Sequence, residues 1–242
     1  MVLSFDDGPN PHTTPHILDT LQIQNVTAVF FLVGINMVNQ SLLHRIVDEG
    51  HLIGSHTDNH ANLTNVQNIT SELDLVEDIM NSTFGEMPRL IRPPYGCVND
   101  SVKAELYKRQ YMVLMWNCDP RDWEFSRVDQ AGAMRDQAVG TIAQTSKKGK
   151  FVLEHELAST VAALEEVIIR VRNEGYEFTH PVCVFDQLQL DYLWLVSDCN
   201  VKGWNMWCRC ILERDLLCSS GLSLSAFHQK LLLFFSSLYL FF

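Results

Sequence analysis

The chain has 242 residues, of which 47% are hydrophobic and 19% charged, a composition typical of a globular protein. This length is enough for one α/β domain with a well-buried core. The net charge of −11 argues against a nucleic-acid partner, because phosphate binding needs clustered Lys and Arg. An acidic protein can still bind a neutral polymer such as a polysaccharide.

Apolar segments alternate with amphipathic ones up to about residue 185. The apolar segments are nearly continuous in hydrophobic residues, as buried parallel strands are, and they cover residues 2–5, 27–34, 51–55, 111–116 and 150–155. Helices are predicted between them, at residues 14–24, 38–49, 70–83, 99–109, 127–146 and 160–174. This alternation predicts parallel strands, closed or half-closed, with helices outside. Functional residues of such folds lie at the C-terminal ends of strands.

The alternation ends near residue 186. Residues 187–242 combine Trp and Cys residues without a clean period and end in the apolar stretch LLLFFSSLYLFF, which is short for a membrane span. We therefore predict a domain over residues 1–186 and an atypical tail over residues 187–242. Two interpretations of the tail stay open. It is a translated intron or a frameshifted segment, or its small residues at 219–221, its spacer and its apolar end form a GPI-attachment signal that would bring the chain to a membrane.

Sequence signals for cellular location point in two directions. Six Asn-X-Ser/Thr sequons indicate a glycosylated protein that is secreted or held at the cell wall or cell surface, and they lie at Asn25, Asn39, Asn62, Asn68, Asn81 and Asn99. The chain nevertheless begins with MVLSF, so that its first Met falls inside the first predicted strand and no signal peptide precedes it. We expect that the extreme N-terminus of the domain is missing from this chain.

Polar motifs follow the apolar segments at five places. Because the loops after parallel strands meet at one rim, we expect these five motifs to converge. They are SFDDGPN (4–10), GSHTDNH (54–60), IRPPYG (91–96), WNCDPRDW (116–123) and EHE (154–156).

The second motif carries a pair of His residues with metal-binding spacing. His56 and His60, at i and i+4, project from one face of a helical turn, which is a common way to bind a metal. A second pair with this spacing, at 12–16, contains a Pro inside the turn and has no third ligand, so we interpret it as surface residues. A catalytic metal site with an open water position needs a carboxylate as well, and SFDDGPN offers Asp6 and Asp7.

The motifs SFDDGP, HTDNH, RPPYG, DPRDW and LEHE, in this order, resemble the five motifs of the NodB-type polysaccharide deacetylases (carbohydrate esterase family four), and most closely the fungal chitin deacetylases. The stretches VTAVFFLVG and RIVDEGHLIGSHT are similar to that family too. The resemblance covers roughly residues 2–186. It implies an α/β fold, a distorted (β/α) barrel with parallel strands and outer helices, here lacking its extreme N-terminus.

The resemblance divides the work between the two Asp residues. It implies that Asp7, His56 and His60 hold a divalent ion, usually Zn²⁺, with Co²⁺ or another divalent metal as alternatives. Asp6 is implied to be the general base, and Arg92 to pair with it and keep it ionised and oriented. The physics agrees, because a cation beside Asp7 offsets the repulsion between neighbouring carboxylates.

The remaining motifs supply groups for the oxyanion and the leaving amine. By resemblance, the backbone N–H of Tyr95 stabilises the oxyanion. His155 is the implied general acid that protonates the amine. A carboxylate of DPRDW holds the other ring nitrogen of His155, and we choose Asp122, with Asp119 as the alternative.

Three further residues are assigned to substrate binding. Pro93 lies in the motif of Tyr95. Leu153 and Trp123 are implied to wall a small pocket for the acetyl methyl group, with plain core packing as the alternative for these two. Glu156 stands where many members have Asp, and a Glu there also resembles the fungal enzymes.

The resemblance implies metal-dependent hydrolysis of N-acetyl groups from N-acetylglucosamine units of chitin, giving chitosan and acetate. We expect a monomer whose partner is chitin or a chitooligosaccharide. Two alternatives stay open. One keeps the chemistry on another polysaccharide, acetylxylan or peptidoglycan, because the loops that choose the sugar cannot be interpreted from the motifs. The other is an inactive, truncated product.

Overall fold

The computed structural model describes residues 1–145 and 150–183. The chain divides into a unit from Met1 to Thr179 and a second unit that begins at His180. Of the second unit only residues 180–183 are described, and residues 181–183 form a helical turn. The predicted tail over residues 187–242, with both of its interpretations, lies outside the described residues. Across the described ranges, none of the helices combines the length and apolar character of a membrane span.

The first unit is built on a sheet in which every pairing between named strands is parallel. All five predicted strands are confirmed, with shorter bounds for most, and the structure adds a two-residue strand that the sequence prediction missed. The strands are β1 (Val2–Asp6), β2 (Ala28–Leu32), β3 (Leu52–Ser55), β4 (Leu90–Ile91), β5 (Met112–Val113) and β6 (Phe151–His155). β4 was missed because two apolar residues give no measurable period.

The order of strands across the sheet is β5-β4-β3-β2-β1-β6. After β5 the chain crosses to the far edge, where Cys118 forms an isolated parallel bridge with Val152 of β6. The Cys118 N–H donates to the Phe151 carbonyl, and the Leu153 N–H donates back to Cys118. The segment 112–118 therefore pairs with both edges of the sheet. These pairings curl the sheet into the half-barrel that the sequence predicted.

Helices cover the sheet, and their bounds agree with the predicted ones to within a few residues. They are α1 (Thr14–Ile23), α2 (Gln40–Asp48), α3 (Asp74–Phe84), α4 (Asp100–Lys108), α5 (Ala131–Gln144) and α6 (Ala158–Asn173). Asn39 and Asn99 cap α2 and α4, since the side-chain oxygen of each accepts a hydrogen bond from the backbone N–H three residues on. Gly85, at φ 72°, ends α3 in the left-handed conformation that favours glycine.

The main hydrophobic core lies where the central strands meet the helices. Phe5 of β1 and Phe30 of β2 stack with ring centroids 5.3 Å apart inside it. β1 is buried along its whole length, so packing fixes the position of the strand up to its last residue, Asp6. The core thus holds the C-terminal ends of β1 and of the neighbouring strands together at one edge of the sheet.

Candidate metal centre and catalytic site

Asp6 and Asp7 are adjacent in sequence but lie in different environments. Asp6 is the last residue of β1 and is buried, whereas Asp7 is exposed and has left the strand with φ 73°. The Asn36 amide donates a hydrogen bond to the Asp7 carbonyl at 3.0 Å and supports this turn. The two carboxylates are therefore separated into an inner and an outer position.

Asp7 meets the two His residues of the second motif. One ligand atom from each of Asp7, His56 and His60 lies within 4.8 Å of the other two. The Asp7 Oδ1 atom is 3.2 Å from His60 Nε2 and 3.5 Å from His56 Nε2. Two imidazole nitrogens and one carboxylate oxygen form the donor set of many catalytic zinc sites. These three side chains can hold a metal ion.

The orientation of His56 is fixed from behind. Its Nδ1–H donates to the backbone carbonyl of Arg92 at 2.6 Å, which leaves the Nε2 lone pair directed at Asp7. Burial lowers the pKa of His56, which keeps the ring neutral, as a metal ligand must be. The loop that follows is anchored by Asp58, whose carboxylate accepts the N–H groups of Leu75 and Val76 at the start of α3.

Asp6 forms a buried ion pair with Arg92. The Arg92 Nη1 atom is 2.7 Å from Asp6 Oδ1, and Arg92 Nε donates to the Leu114 carbonyl at 3.0 Å. The guanidinium carbon lies 4.2 Å from the ring centroid of Phe31, so Arg92 is held on several sides. Burial raises the pKa of Asp6, and the charge of Arg92 opposes that rise.

His155 lies beside Asp6 on the neighbouring strand, because the two residues are register partners in β6 and β1. The His155 Nδ1–H donates to Asp122 Oδ1 at 2.7 Å, and the His155 backbone N–H donates to Asp122 Oδ2 at 2.5 Å. Burial alone would lower the pKa of His155, but the hydrogen bond and charge of Asp122, with the charges of Asp6 and Asp7, raise it to about 9. His155 is therefore protonated at neutral pH.

Of the two acids considered for this pairing, the structure brings Asp122 to His155. Asp119 instead accepts a hydrogen bond from the Arg121 N–H at 2.8 Å, which closes the turn of the same motif. Asp122 is fully buried and also accepts the Thr160 hydroxyl at 3.0 Å.

Comparison with known proteins identifies the family. The family model described as polysaccharide deacetylase matches residues 1–114. A peptidoglycan-N-acetylglucosamine deacetylase of Bacillus cereus is 33% identical over 190 residues, which cover 74% of this chain and 84% of the relative. The chain belongs to the polysaccharide deacetylase family. A chitooligosaccharide deacetylase of Bradyrhizobium is 32% identical over 199 residues, covering 74% of this chain and 87% of the relative.

Some relatives are longer proteins. The chain spans 65% of another Bacillus cereus peptidoglycan-N-acetylglucosamine deacetylase, to which it is 33% identical over 74% of its own length. It spans 37% of the deacetylase PgdA of Listeria monocytogenes, again at 33% identity and over 74% of its own length.

Solved structures of this family have the same fold. The peptidoglycan deacetylase PdaC from Bacillus subtilis superimposes with a TM-score of 0.68 at 29% identity, covering 80% of this chain and 94% of that one. The chitin deacetylase from the fungal pathogen Colletotrichum lindemuthianum gives a TM-score of 0.68 at 25% identity, covering 74% and 83%. The identities therefore do not single out the fungal enzymes, although the sequence motifs resemble theirs.

The candidate site is bordered by two exposed aromatic side chains. Tyr95 is 67% exposed and packs its ring edge-on against His60, with centroids 4.8 Å apart. Trp123 is 51% exposed, and the Arg121 guanidinium carbon lies 5.1 Å from its ring centroid. Pro93 and Leu153, the other residues assigned to substrate binding, are buried. The acetyl pocket itself stays a prediction.

Backbone conformations with positive φ concentrate at this rim. Non-glycine residues adopt them rarely, and they cluster at functional sites where the surrounding structure enforces them. Five of the site loops' residues have φ between 56° and 73°: Asp7, Thr57, His60, Tyr95 and Arg121. The fold thus holds these loops in strained conformations that present ligand atoms and backbone groups toward one place.

The SFDDGPN loop is held by Glu156. Its Oε2 accepts the Thr14 hydroxyl and, at 3.3 Å, the Asn10 N–H. A Cβ atom on Gly8 would lie 1.8 Å from Glu156 Oε1, so a larger residue there would force the Glu156 carboxylate to move. Burial raises the pKa of Glu156 to about 7. Glu156 anchors the loop that carries Asp6 and Asp7.

Sequence reasoning missed three side chains that support the site. Asp58 caps a helix, Thr160 binds Asp122, and Glu154 is buried in β6 next to His155 in sequence. Only Glu154 left a signal, because an acid in the middle of an apolar strand is unusual.

Proposed function

We propose that this chain is a metal-dependent deacetylase that hydrolyses N-acetyl groups of N-acetylglucosamine units in chitin or chitooligosaccharides, giving chitosan and acetate. The observation that carries the proposal is one cluster of Asp7, His56 and His60 beside a buried carboxylate, Asp6, and a protonated His155. Amide hydrolysis needs a base for water and an acid for the amine, and both lie at this cluster.

The proposed metal ligands are Asp7, His56 and His60, with Zn²⁺ as the ion and Co²⁺ or another divalent metal as alternatives. The fit rests on donor chemistry, since imidazole and carboxylate ligands suit these ions. A bound divalent ion supplies a Lewis acid that lowers the pKa of water and polarises a carbonyl oxygen.

Asp6 is the proposed general base. Its carboxylate takes the proton from the water that attacks the acetamide carbonyl. Arg92 keeps this carboxylate charged and directed at the site, since it donates from Nη1 to Oδ1 at 2.7 Å while its own position is fixed by the Leu114 carbonyl.

His155 is the proposed general acid. The amine of the sugar is a poor leaving group until it is protonated, and His155 carries a proton at neutral pH because Asp122 stabilises the imidazolium. The Tyr95 N–H is the proposed oxyanion donor, on a residue whose φ of 60° turns its backbone at the rim.

Pro93, Trp123 and Leu153 are proposed to bind the substrate. Trp123 offers an exposed ring face to a sugar, and Leu153 is two residues from His155 on β6, so that both side chains lie on one face of the strand.

Chitin is proposed as the polymer because the motifs resemble those of fungal chitin deacetylases and a fungal chitin deacetylase shares the fold at 25% identity. Peptidoglycan is the second candidate, and it is supported by the names of relatives at 33% identity. We further propose a secreted or cell-surface monomer. Its sequons support this location, since five of them have exposed Asn residues: Asn25, Asn39, Asn68, Asn81 and Asn99.

The test is acetate release from chitin oligomers and, in parallel, from peptidoglycan fragments. We expect release from chitin oligomers that stops with a chelator, returns with Zn²⁺ and is abolished by Asp6→Asn. Asp78→Asn, an exposed acid on α3, is the matched control and should leave release intact. Release from peptidoglycan alone would show that peptidoglycan, and not chitin, is the substrate. No zinc binding and no cooperative unfolding would identify an inactive product.

A further inference from the structure

Glu156 is a buried acid that takes no part in the reaction proposed above. It follows His155 directly in sequence, just after the end of β6, and is 5% exposed. Its backbone and its carboxylate both contact the SFDDGPN segment, which leads from β1 toward α1. The same segment carries Asp7, one of the three proposed metal ligands.

The hydrogen bonds of Glu156 reach both ends of the connection between β1 and α1. At its start, the Glu156 backbone N–H donates to the Asp6 carbonyl at 3.3 Å. Toward its end, Glu156 Oε2 accepts the Asn10 N–H at 3.3 Å and the hydroxyl of Thr14, the first residue of α1. The Asn10 N–H also donates to the Thr14 hydroxyl at 2.7 Å. One residue therefore fixes both ends of this loop.

The middle of the loop is held by close packing and by the segment after β2. The Glu156 Oε1 atom lies against Gly8, since a Cβ atom on Gly8 would be 1.8 Å from it. The Gly8 carbonyl accepts the Val33 N–H at 2.8 Å, and the Asp7 carbonyl accepts the Asn36 amide at 3.0 Å. Because β1 lies between β2 and β6 in the sheet, the loop is supported from both neighbouring strands.

Asp7 depends on this support because it lies outside the strand. Its φ of 73° is a conformation that a non-glycine residue keeps only where the surrounding structure enforces it. Its Oδ1 atom has to stay within reach of His56 Nε2 and His60 Nε2, which are 3.5 and 3.2 Å away. Distances between a metal and its ligands vary by only about 0.2 Å, so a small shift of the loop would weaken metal binding.

We propose that Glu156 is a positioning residue of the metal site: by holding the loop between β1 and α1, it keeps the Asp7 carboxylate in place for a divalent ion. The inference rests on the proposed function, in which Asp7 is a ligand of that ion. Glu156 acts through the loop, because its carboxylate bonds to Asn10 and Thr14. Since Glu156 follows His155, the same contacts also fix the metal ligand relative to the proposed general acid.

The test measures the affinity of the full chain for Zn²⁺ by competition with a chromogenic chelator. Glu156→Leu removes the acceptor at similar volume, and we expect the Kd for Zn²⁺ to rise about ten- to a hundredfold, as when an outer group that orients a ligand is lost. Glu156→Gln keeps an oxygen that can accept from Asn10 and Thr14, so its Kd should stay within about threefold of the wild-type value. Thr14→Val removes a donor from the other side of the same contact and should weaken Zn²⁺ binding several-fold.

Val167→Ala is the control for a loss of stability alone. Val167 is buried in the core on α6, so this variant should melt at a lower temperature and bind Zn²⁺ as wild type does. A folded Glu156→Leu chain with wild-type affinity overturns the proposal, and so does a Gln variant that binds as weakly as the Leu variant. Where Glu156→Leu does not fold, Thr14→Val takes its place, and wild-type affinity of that variant overturns the proposal.

Hydrogen exchange in the metal-free chain tests the positioning without metal or activity. The Val33 amide donates to the Gly8 carbonyl, so its exchange rate reports whether the loop is held. We expect it to exchange about tenfold faster in Glu156→Leu, while the Phe30 amide inside β2 exchanges as in wild type. An unchanged Val33 rate overturns the proposal.

The two readouts separate this inference from the proposed function. A wild-type chain that binds Zn²⁺ and shows these changes on substitution of Glu156, but releases no acetate, refutes the proposed function and supports the positioning role. A wild-type chain that binds no Zn²⁺ overturns both.

Discussion

Replacing Asp122 by Asn tests the assignment of the general acid. Burial lowers the pKa of His155, but the hydrogen bond and charge of Asp122, with smaller contributions from the charges of Asp6 and Asp7, raise it to about 9, against an ordinary value of 6.5. With Asn in its place we expect the pKa of His155 to return toward 6.5. At pH 8 the protonated fraction of His155 would then fall from about nine-tenths to about 3%, so deacetylation should slow about thirtyfold. Near pH 6 the loss from this cause should be small.

The same substitution should change how stability depends on pH. A His whose pKa is raised by folding adds stability that is fully present below the unfolded value and is lost as pH rises through the folded value. For His155 this window runs from 6.5 to about 9, and the difference corresponds to about 3 kcal/mol. Wild-type protein should lose roughly that free energy of unfolding across the window. Asp122→Asn should lose much less.

The assay is acetate release from pH 5.5 to 9.5, together with denaturant unfolding at pH 6 and pH 9. Asp119→Asn is the matched control, because Asp119 lies in the same motif but accepts its hydrogen bond from the Arg121 N–H and not from His155. The alkaline limb of the pH–activity profile of this control should stay in place. An Asp122→Asn enzyme with an unmoved alkaline limb would refute the reasoning, as would an Asp119→Asn enzyme in which the limb moves.

Three further outcomes follow from the site geometry. His60→Ala should reduce bound zinc, measured by elemental analysis, by at least tenfold because it removes one of three ligands, whereas the exposed His12→Ala should bind as wild type does. Gly8→Ala should destabilise the chain by roughly 2 kcal/mol or more in denaturant unfolding, since its Cβ would meet Glu156 Oε1 at 1.8 Å, and an unchanged midpoint would contradict this placement. Trp123→Ala should raise KM for chitin oligomers several-fold without a loss of stability, because half of the ring is exposed, and a lowered melting temperature with unchanged KM would instead indicate a packing role.

Much of the fold could be predicted from the sequence because strands and helices follow their local periodicity. The strands around Phe5, Phe30 and Val152 are buried on both faces and therefore nearly continuous in apolar residues. The two-residue strand at Leu90–Ile91 left no such signal. Nor could the crossing at Cys118 be predicted, because that pairing depends on the tertiary path of the chain rather than on composition.

The sequence revealed the site only where metal-binding side chains follow a recognisable spacing. His56 and His60 are four residues apart, and the paired acids follow a strand, so the resemblance could assign them roles. The choice between Asp119 and Asp122 needed coordinates, because both lie in one short motif and only the turn decides which of them faces His155. Supporting residues such as Thr160 leave no pattern, since a buried Thr on a helix is commonplace.

The geometry also suits the proposal that a base and an acid work at the same pH. The proposed reaction needs Asp6 ionised while His155 is protonated, and each has its own counter-ion, Arg92 for the proposed base and Asp122 for the proposed acid. The two groups also support one another, because the charge of His155 lowers the pKa of Asp6 and the charge of Asp6 raises that of His155. We therefore expect the pH range of activity to lie between the pKa values of Asp6 and His155. Removing Arg92 should therefore raise the lower pH limit of activity, and removing Asp122 should lower the upper pH limit.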